Sequence, residues 1–182
     1  MNQTNHAQKI LLALVLILGV FLIVVALQPA NFRVTRSATF NARAETVFAQ
    51  VNDFHKWDAW SPWAKLDPNA KNSFDGPASG VGTIMAWAGN KDVGEGRMTI
   101  TASRANELIG IRLEFIKPFA MVNTAEFTFK PETGKTTVTW SMTGEKNFIF
   151  KAFGLFVDCD KMIGGDFEKG LAQMKSVVEA RK

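Results

Sequence analysis

Cysteine appears once in the 182 residues, at Cys159, tyrosine is absent, and histidine is confined to His6 and His55. A single thiol rules out an intramolecular disulfide and leaves the redox compartment open. Without tyrosine the chain has no phenol to act as acid or oxyanion donor. His6 lies ahead of the folded region and His55 stands alone in a loop, so the sequence offers no histidine base beside a nucleophile. His55 reads as a solvated surface residue, with a ligand or proton-transfer role as the alternative. Excess charge of one sign is also scarce: 21 Lys and Arg against 17 Asp and Glu leave +4, dispersed without a basic tract. That excludes a nucleic-acid partner and supports at most a weak attraction to anionic lipid. Repeats and low-complexity linkers are missing.

What the chain does have is one long apolar run. Ile10 to Leu27 are 18 uncharged positions counting Gly19. As a helix they extend ~27 Å, enough to cross a hydrocarbon core. A transmembrane anchor over 10–27 is expected, preceded by a short tail, 1–9. The alternative is a signal peptide cut after Ala26, for which the run is long. Lys9 favours a cytoplasmic N-terminus, whereas Arg33 and Arg36 just past the span argue the other way. Both arginines belong to a strand-like segment of a folded domain, which translocates largely regardless of such charge. The expected location is a bacterial-type inner membrane, single-pass, with the domain outside the cytoplasm. A cytoplasmic-facing domain and a cleaved, secreted one are the alternatives.

Residues 31–182 read as one domain. Phe32–Phe40 alternates apolar with polar, as a half-buried strand does. Asn41 is expected to cap a short helix carrying Val47, Phe48 and Val51. A turn-rich passage follows, through Trp57-Asp-Ala-Trp60-Ser-Pro-Trp63 and Leu66-Asp-Pro-Asn69. Segments of period two then recur over 83–88, 94–103, 108–115, 122–130 and 136–143, the mark of an antiparallel meander with one apolar face. From Phe156 the period changes. Phe156, Cys159, Ile163, Phe167, Leu171, Met174 and Val178 recur in steps of three or four, a long amphipathic helix. Gly164-Gly165 inside it implies a kink or a close approach to the sheet. The expected fold class is α+β, a curved antiparallel sheet around a long C-terminal helix, behind an N-terminal transmembrane helix.

The order of elements, Trp60-Ser-Pro-Trp63, Leu66-Asp-Pro-Asn69, Gly94-Glu-Gly-Arg-Met-Thr-Ile100 and Asp160-Lys-Met-Ile-Gly164 with Asp166-Phe-Glu-Lys-Gly-Leu171 resemble the SRPBCC or START-like superfamily. Within it the chain looks like the polyketide cyclase/dehydrase and lipid-transport branch, often found with an N-terminal membrane segment. The resemblance covers nearly everything after Phe32. It implies a helix-grip fold with a hydrophobic cavity between sheet and C-terminal helix.

Met85, Trp87, Met98, Phe115, Phe127, Trp140, Met142 and Phe156 are adaptable apolar side chains aimed at one interior. With Trp60 and Trp63 they are the candidate walls of a site for a hydrophobic small molecule or lipid. The competing reading is a closed core. The tryptophan stretch itself is read as core, as cavity mouth or as an interfacial belt, and Pro62 prevents its three rings from facing one way. Reactive chemistry is thin. Cys159 reads as an inert thiol on the apolar face of the long helix, and its neighbours Asp158 and Asp160 disfavour a thiolate. Asp158, Asp160 and Asp166 read as a solvated face, so no metal is expected. Gly134-Lys135-Thr136 ends like a phosphate loop, but Phe129 stands where that loop requires glycine, so the match is spurious. No cofactor is expected. Arg97, Arg112 and Glu114 oppose the apolar face by parity and would reach a cavity only if a bulge reversed it. The leading function is a membrane-anchored binding module for an apolar molecule. The alternatives are a cyclase or dehydratase acting by confinement, and an accessory interaction domain at the membrane.

Overall fold

The computed structural model describes the backbone of residues 2–180 and side chains from His6 onward. Met1 of the tail, and Arg181 and Lys182 at the end of the domain, lie outside the described residues. The chain divides into two compact units, one formed by residues up to Phe32 with Glu145–Asp158, the other by Arg33–Gly144 with the residues from Cys159 on.

In the first unit, helix α1 (Asn2–Leu27) is long and apolar enough to cross a membrane. It starts at Asn2, so the expected tail is continuous with the apolar run. Its leucines, isoleucines and valines are mostly exposed, and Val25 is the fully buried exception. Helix α3 (Phe148–Phe153) belongs to the same unit.

The second unit carries an antiparallel sheet. Its strands are β1 (Asn31–Phe40), β2 (Lys71–Asp75), β3 (Ile84–Ala88), β4 (Glu95–Arg104), β5 (Leu108–Lys117), β6 (Met121–Glu132) and β7 (Lys135–Glu145). The seven lie in the order β1-β7-β6-β5-β4-β3-β2. Strand β2 lies beyond the turn-rich passage that ends at Asn69 and is not expected from sequence, because Lys71-Asn-Ser-Phe-Asp is exposed throughout and carries no apolar alternation. Helix α2 (Ala44–Val51) buries Val47, Phe48 and Val51 as its spacing requires. Its N-cap is Arg43, without a side-chain bond, rather than Asn41. A 3-10 helix, Phe54–Ala59, follows.

Helix α4 (Cys159–Glu179) buries Gly164, Phe167, Gly170, Leu171, Met174 and Val178, and Phe167 stacks on the sheet residue Trp140. The unit is thus a curved antiparallel sheet with a long helix across its apolar face, the α+β helix-grip arrangement.

Candidate functional site

Register fixes which side chains share the inner face. One cross-strand row runs Trp87, Gly96, Phe115, Met121; the next runs Phe74, Met85, Met98, Leu113, Asn123. A third holds Ile100, Ile111, Ala125 and Met142, and a fourth Ile109, Phe127 and Trp140. Opposed residues on one face have Cβ atoms ~5 Å apart, so each row is a continuous strip of contact.

Burial rises along these rows. In the fourth, Trp140 lies face to face with Phe167 of α4 at 4.0 Å and stacks on Phe127 at 4.7 Å. Trp57 and Trp60 meet the Trp140 ring edge-on at 6.4 and 5.9 Å. Their indole N–H groups donate to Val51 O and Gln50 O at 3.0 and 3.2 Å, satisfying carbonyls left open at the end of α2. This half of the interior is closed core. Trp60, Phe127 and Trp140, named as wall candidates, are its centre.

In the first two rows Met85, Trp87, Leu113, Phe115 and Met121 are only half-buried, while Met98 and Met142 are buried behind them. Trp63 is also half-buried and touches Trp140 edge-on at 5.9 Å. Two of the three clustered tryptophans therefore lie in the core and the third sits at its rim. The rim is positioned by Asp67, whose carboxylate accepts from Asn90 N at 2.7 Å and Asn69 N at 3.0 Å. That ties the loop after Trp63 to the turn between β3 and β4. On the same turn Val93 O accepts the Trp87 indole N–H at 3.0 Å. Met85, Trp87 and Phe115 thus form a half-buried apolar strip on the inner face of the sheet, with Met98 and Met142 buried beside it. Thioether side chains adapt to irregular shapes.

One polar group interrupts it. Asn123 is 3% exposed. Its Nδ2 donates only to Met142 Sδ at 3.8 Å, and its Oδ1 has no partner. A buried polar atom left unpaired costs ~1–3 kcal/mol. Trp140 Nε1 and Gln173 Oε1 are the other orphaned side-chain atoms among the described residues.

A second polar intrusion is satisfied. Ser37 and Thr39 hydroxyls bond those of Thr139 and Thr137, which sets Arg36 opposite Trp140, on the inner face of β1. The guanidinium reaches α4 instead of water: Nε donates to Glu168 at 2.7 Å, and NH2 to the Asp160 carboxylate and carbonyl at 2.9 and 3.0 Å. NH1 donates to Thr35 O at 2.9 Å and Asp160 Oδ1 at 3.2 Å. The Arg36 bonds hold the Asp160 carboxyl below the usual carboxylate range, and the Asp160 and Glu168 bonds raise Arg36 in turn. Gly164 is where the guanidinium crosses the helix; a Cβ there would collide with it, whereas one at Gly165 meets nothing within 4 Å. Gly165→Ala is therefore expected to stabilise by ~1 kcal/mol, the helix-propensity difference. Gly164→Ala makes the same propensity gain but displaces the guanidinium from its α4 partners, so it should stabilise less than Gly165→Ala. Thermal unfolding of the two variants side by side checks this, and equal shifts would refute the Arg36 clasp.

The remaining expectations resolve as follows. Arg97, Arg112 and Glu114 stay on the outer face, since the irregularities of β4 fall at Glu95/Gly96 and Ile100/Ala102 and leave Arg97 paired with Glu114. Glu114 takes 2.8 and 3.2 Å contacts from Arg97 and Arg112, which hold its carboxyl below the usual range, Arg97 most. His55 is exposed, bonded to Asp53 at 3.0 Å and stacked on Phe74. Asp160 is an Arg36 ligand rather than plain solvated face. Cys159 is half-buried at the first position of α4. Phe156 is a correction. It precedes α4, is 80% exposed, and stacks at 6.5 Å on Phe21 of the first unit. The three-residue spacing from Phe156 to Cys159 matches the period of the long helix by coincidence, across the non-helical Val157 and Asp158 that precede α4.

Asn123 and Arg36 were not singled out from sequence, though both break an apolar period: Asn123 precedes Ala125, Phe127 and Phe129, and Arg36 interrupts Phe32, Val34, Ala38 and Phe40.

Solved structures with this fold are remote in sequence. A protein from Mesorhizobium loti shares 13% identity over 83% of this chain and 99% of its own, with a TM-score of 0.61. A protein from Nitrosospira multiformis shares 20% over 83% and 100%, at 0.58. The Aha1 protein from Colwellia psychrerythraea, solved as a dimer, shares 14% over 81% and 96%, at 0.57. These likenesses show the fold. No curated protein matches the chain. Residues 31–179 match the family described as polyketide cyclase/dehydrase and lipid transport, and the chain belongs to that family.

Proposed function

We propose that this chain is a membrane-anchored module that holds an apolar small molecule or lipid in the trough between Trp63, Met85, Trp87, Phe115 and α4, with one polar group of the ligand paired to Asn123. The observation that carries the reading is the buried Asn123 amide, whose Oδ1 has no protein partner amid methionine and leucine. A ligand hydroxyl or amide N–H would supply the missing bond. The half-buried aromatic and thioether side chains around it offer surface suited to a hydrocarbon body. Family membership supports the same reading, its description naming both lipid transport and cyclase chemistry. Helix α1 would be the anchor, a single span of a bacterial-type inner membrane with the domain on the extracytoplasmic side.

Organic-solvent extraction of the purified full chain, followed by mass spectrometry, should release a stoichiometric apolar compound bearing a hydrogen-bond donor. Asn123→Leu removes an unsatisfied buried group, so the fold should persist. Affinity for that compound should nevertheless fall roughly threefold to tenfold, the worth of one hydrogen bond. No extractable compound, together with no binding of an apolar naphthalene fluorophore, would sink the proposal.

A further inference from the structure

The connection between β7 and α4 carries large apolar side chains that are left largely exposed. Phe148, Ile149, Phe153 and Phe156 are 49, 61, 47 and 80% exposed, and α3 has no buried residue at all. Scattered single exposures are ordinary, but four within nine residues form a patch that asks for a cover.

The same unit shows what the cover is. Lys146 N donates to Ala30 O at 2.7 Å, just past the end of α1. Lys151 Nζ reaches Ala26 O at 3.4 Å, in its last turn. Phe156 then stacks on Phe21. The segment thus runs back along α1, from the end of the apolar run toward its middle. Six residues separate Leu27 from Phe21, so Phe156 lies ~9 Å below the end of the span. At that depth the α1 side chains Val20, Ile23 and Val24 are themselves 61, 60 and 40% exposed.

We propose that Phe148–Phe156 is a second membrane-inserted element, an apolar wedge buried in the same bilayer leaflet as the C-terminal end of the anchor. It rests on the reading of α1 as a membrane span and is independent of the ligand trough. The backbone meets the condition lipid imposes, that amides be bonded within the protein. Asn147 Oδ1 caps Phe150 N at 2.9 Å. The amides of Lys151, Gly154, Leu155, Phe156 and Val157 donate to Asn147, Phe150, Ala152 and Phe153 carbonyls at 2.9–3.2 Å. Lys146 and Lys151 sit at the level of Ala26 to Ala30, where headgroups begin, and Lys151 there meets the negative end of the α1 dipole.

The test is depth. In full-length protein carrying Cys159→Ser, nitroxide labels are placed singly through Ile149→Cys, Phe156→Cys, Val15→Cys in α1 and Lys135→Cys at the exposed start of β7. After reconstitution into phosphatidylcholine–phosphatidylglycerol vesicles, collisions with oxygen and with a water-soluble nickel complex are compared. Labels at 149 and 156 should resemble the one at 15, protected from nickel several-fold relative to 135. Nickel access at 149 and 156 equal to that at 135, with 15 still protected, would overturn the wedge and leave the anchor. Nickel access at 15 as well would overturn both.

Discussion

Trp140→Ala should cost ~3–5 kcal/mol, the usual range for truncating a buried tryptophan, and so remove much of the ~5–15 kcal/mol that holds a domain folded. Trp140 is 3% exposed and is the ring on which the others converge. Phe167 covers it from α4 in nearly parallel contact, 6° between planes, and Phe127 covers the other side at 26°. Truncation removes the ring against which both Phe167 and Gly170 of α4 pack, and leaves a cavity between helix and sheet. A Cβ at Gly170 would lie 2.9 Å from Trp140 Cζ3 and 3.1 Å from Pro62 Cδ. Trp140→Phe is the informative partner. It keeps a stacking ring and removes an indole N–H that has no acceptor, so its cost should stay below ~1.5 kcal/mol. Denaturant unfolding of the full chain in detergent measures both. A Trp140→Ala loss under ~1 kcal/mol would mean that the stack does not hold α4 to the sheet.

The sheet and helix were legible because their signals are periodic and cooperative. Val122–Lys130 and Thr136–Thr143 alternate cleanly, and their inner face meets α4 through Trp140, on which Phe127 stacks. Phe167, Leu171, Met174 and Val178 keep helical spacing because that face is buried. The proposed site was legible only in part. Period and parity put Met85, Trp87 and Phe115 on the inner face, but they do not tell a closed row from an open one; that depends on how far α4 and the Trp63 loop extend over it. Trp60, Phe127 and Trp140 show the same residue types with the opposite outcome. Phe156 was misplaced because period alone does not register the non-helical Val157 and Asp158 between it and α4. The polar exceptions carried more information than the apolar rule. Asn123 and Arg36 sit at apolar parity, and one is left unpaired where the other is fully bonded. Gly164, which could be read only as a kink or close approach, is explained by the guanidinium lying on it.

Gly96→Ala should reach the trough through Trp87. The two residues are directly paired across β3 and β4, and the indole lies over the glycine. A Cβ at position 96 would collide with Trp87 Cζ2, lie 2.5 Å from Cη2 and 2.6 Å from Glu114 O. The ring is held by its bond to Val93 O and by edge contact with Phe115 at 6.0 Å, so it must give up one of these to move. Overpacking of this kind costs ~1–3 kcal/mol. Because the displaced group is a wall of the trough, affinity for the extracted compound should fall about tenfold, or ~1.4 kcal/mol. Trp87→Ala separates the two effects. Without the ring the two indole clashes are gone and only the one with Glu114 O remains, so adding Gly96→Ala to that background should cost less than it does in the wild type. The double variant should therefore be more stable than the sum of the singles by ~0.5–3 kcal/mol, the range for residues in direct contact. Strict additivity in unfolding would show that the glycine serves the backbone of β4 rather than the ring. In that case the fall in affinity would also have to disappear, since nothing would then connect Gly96 to the wall.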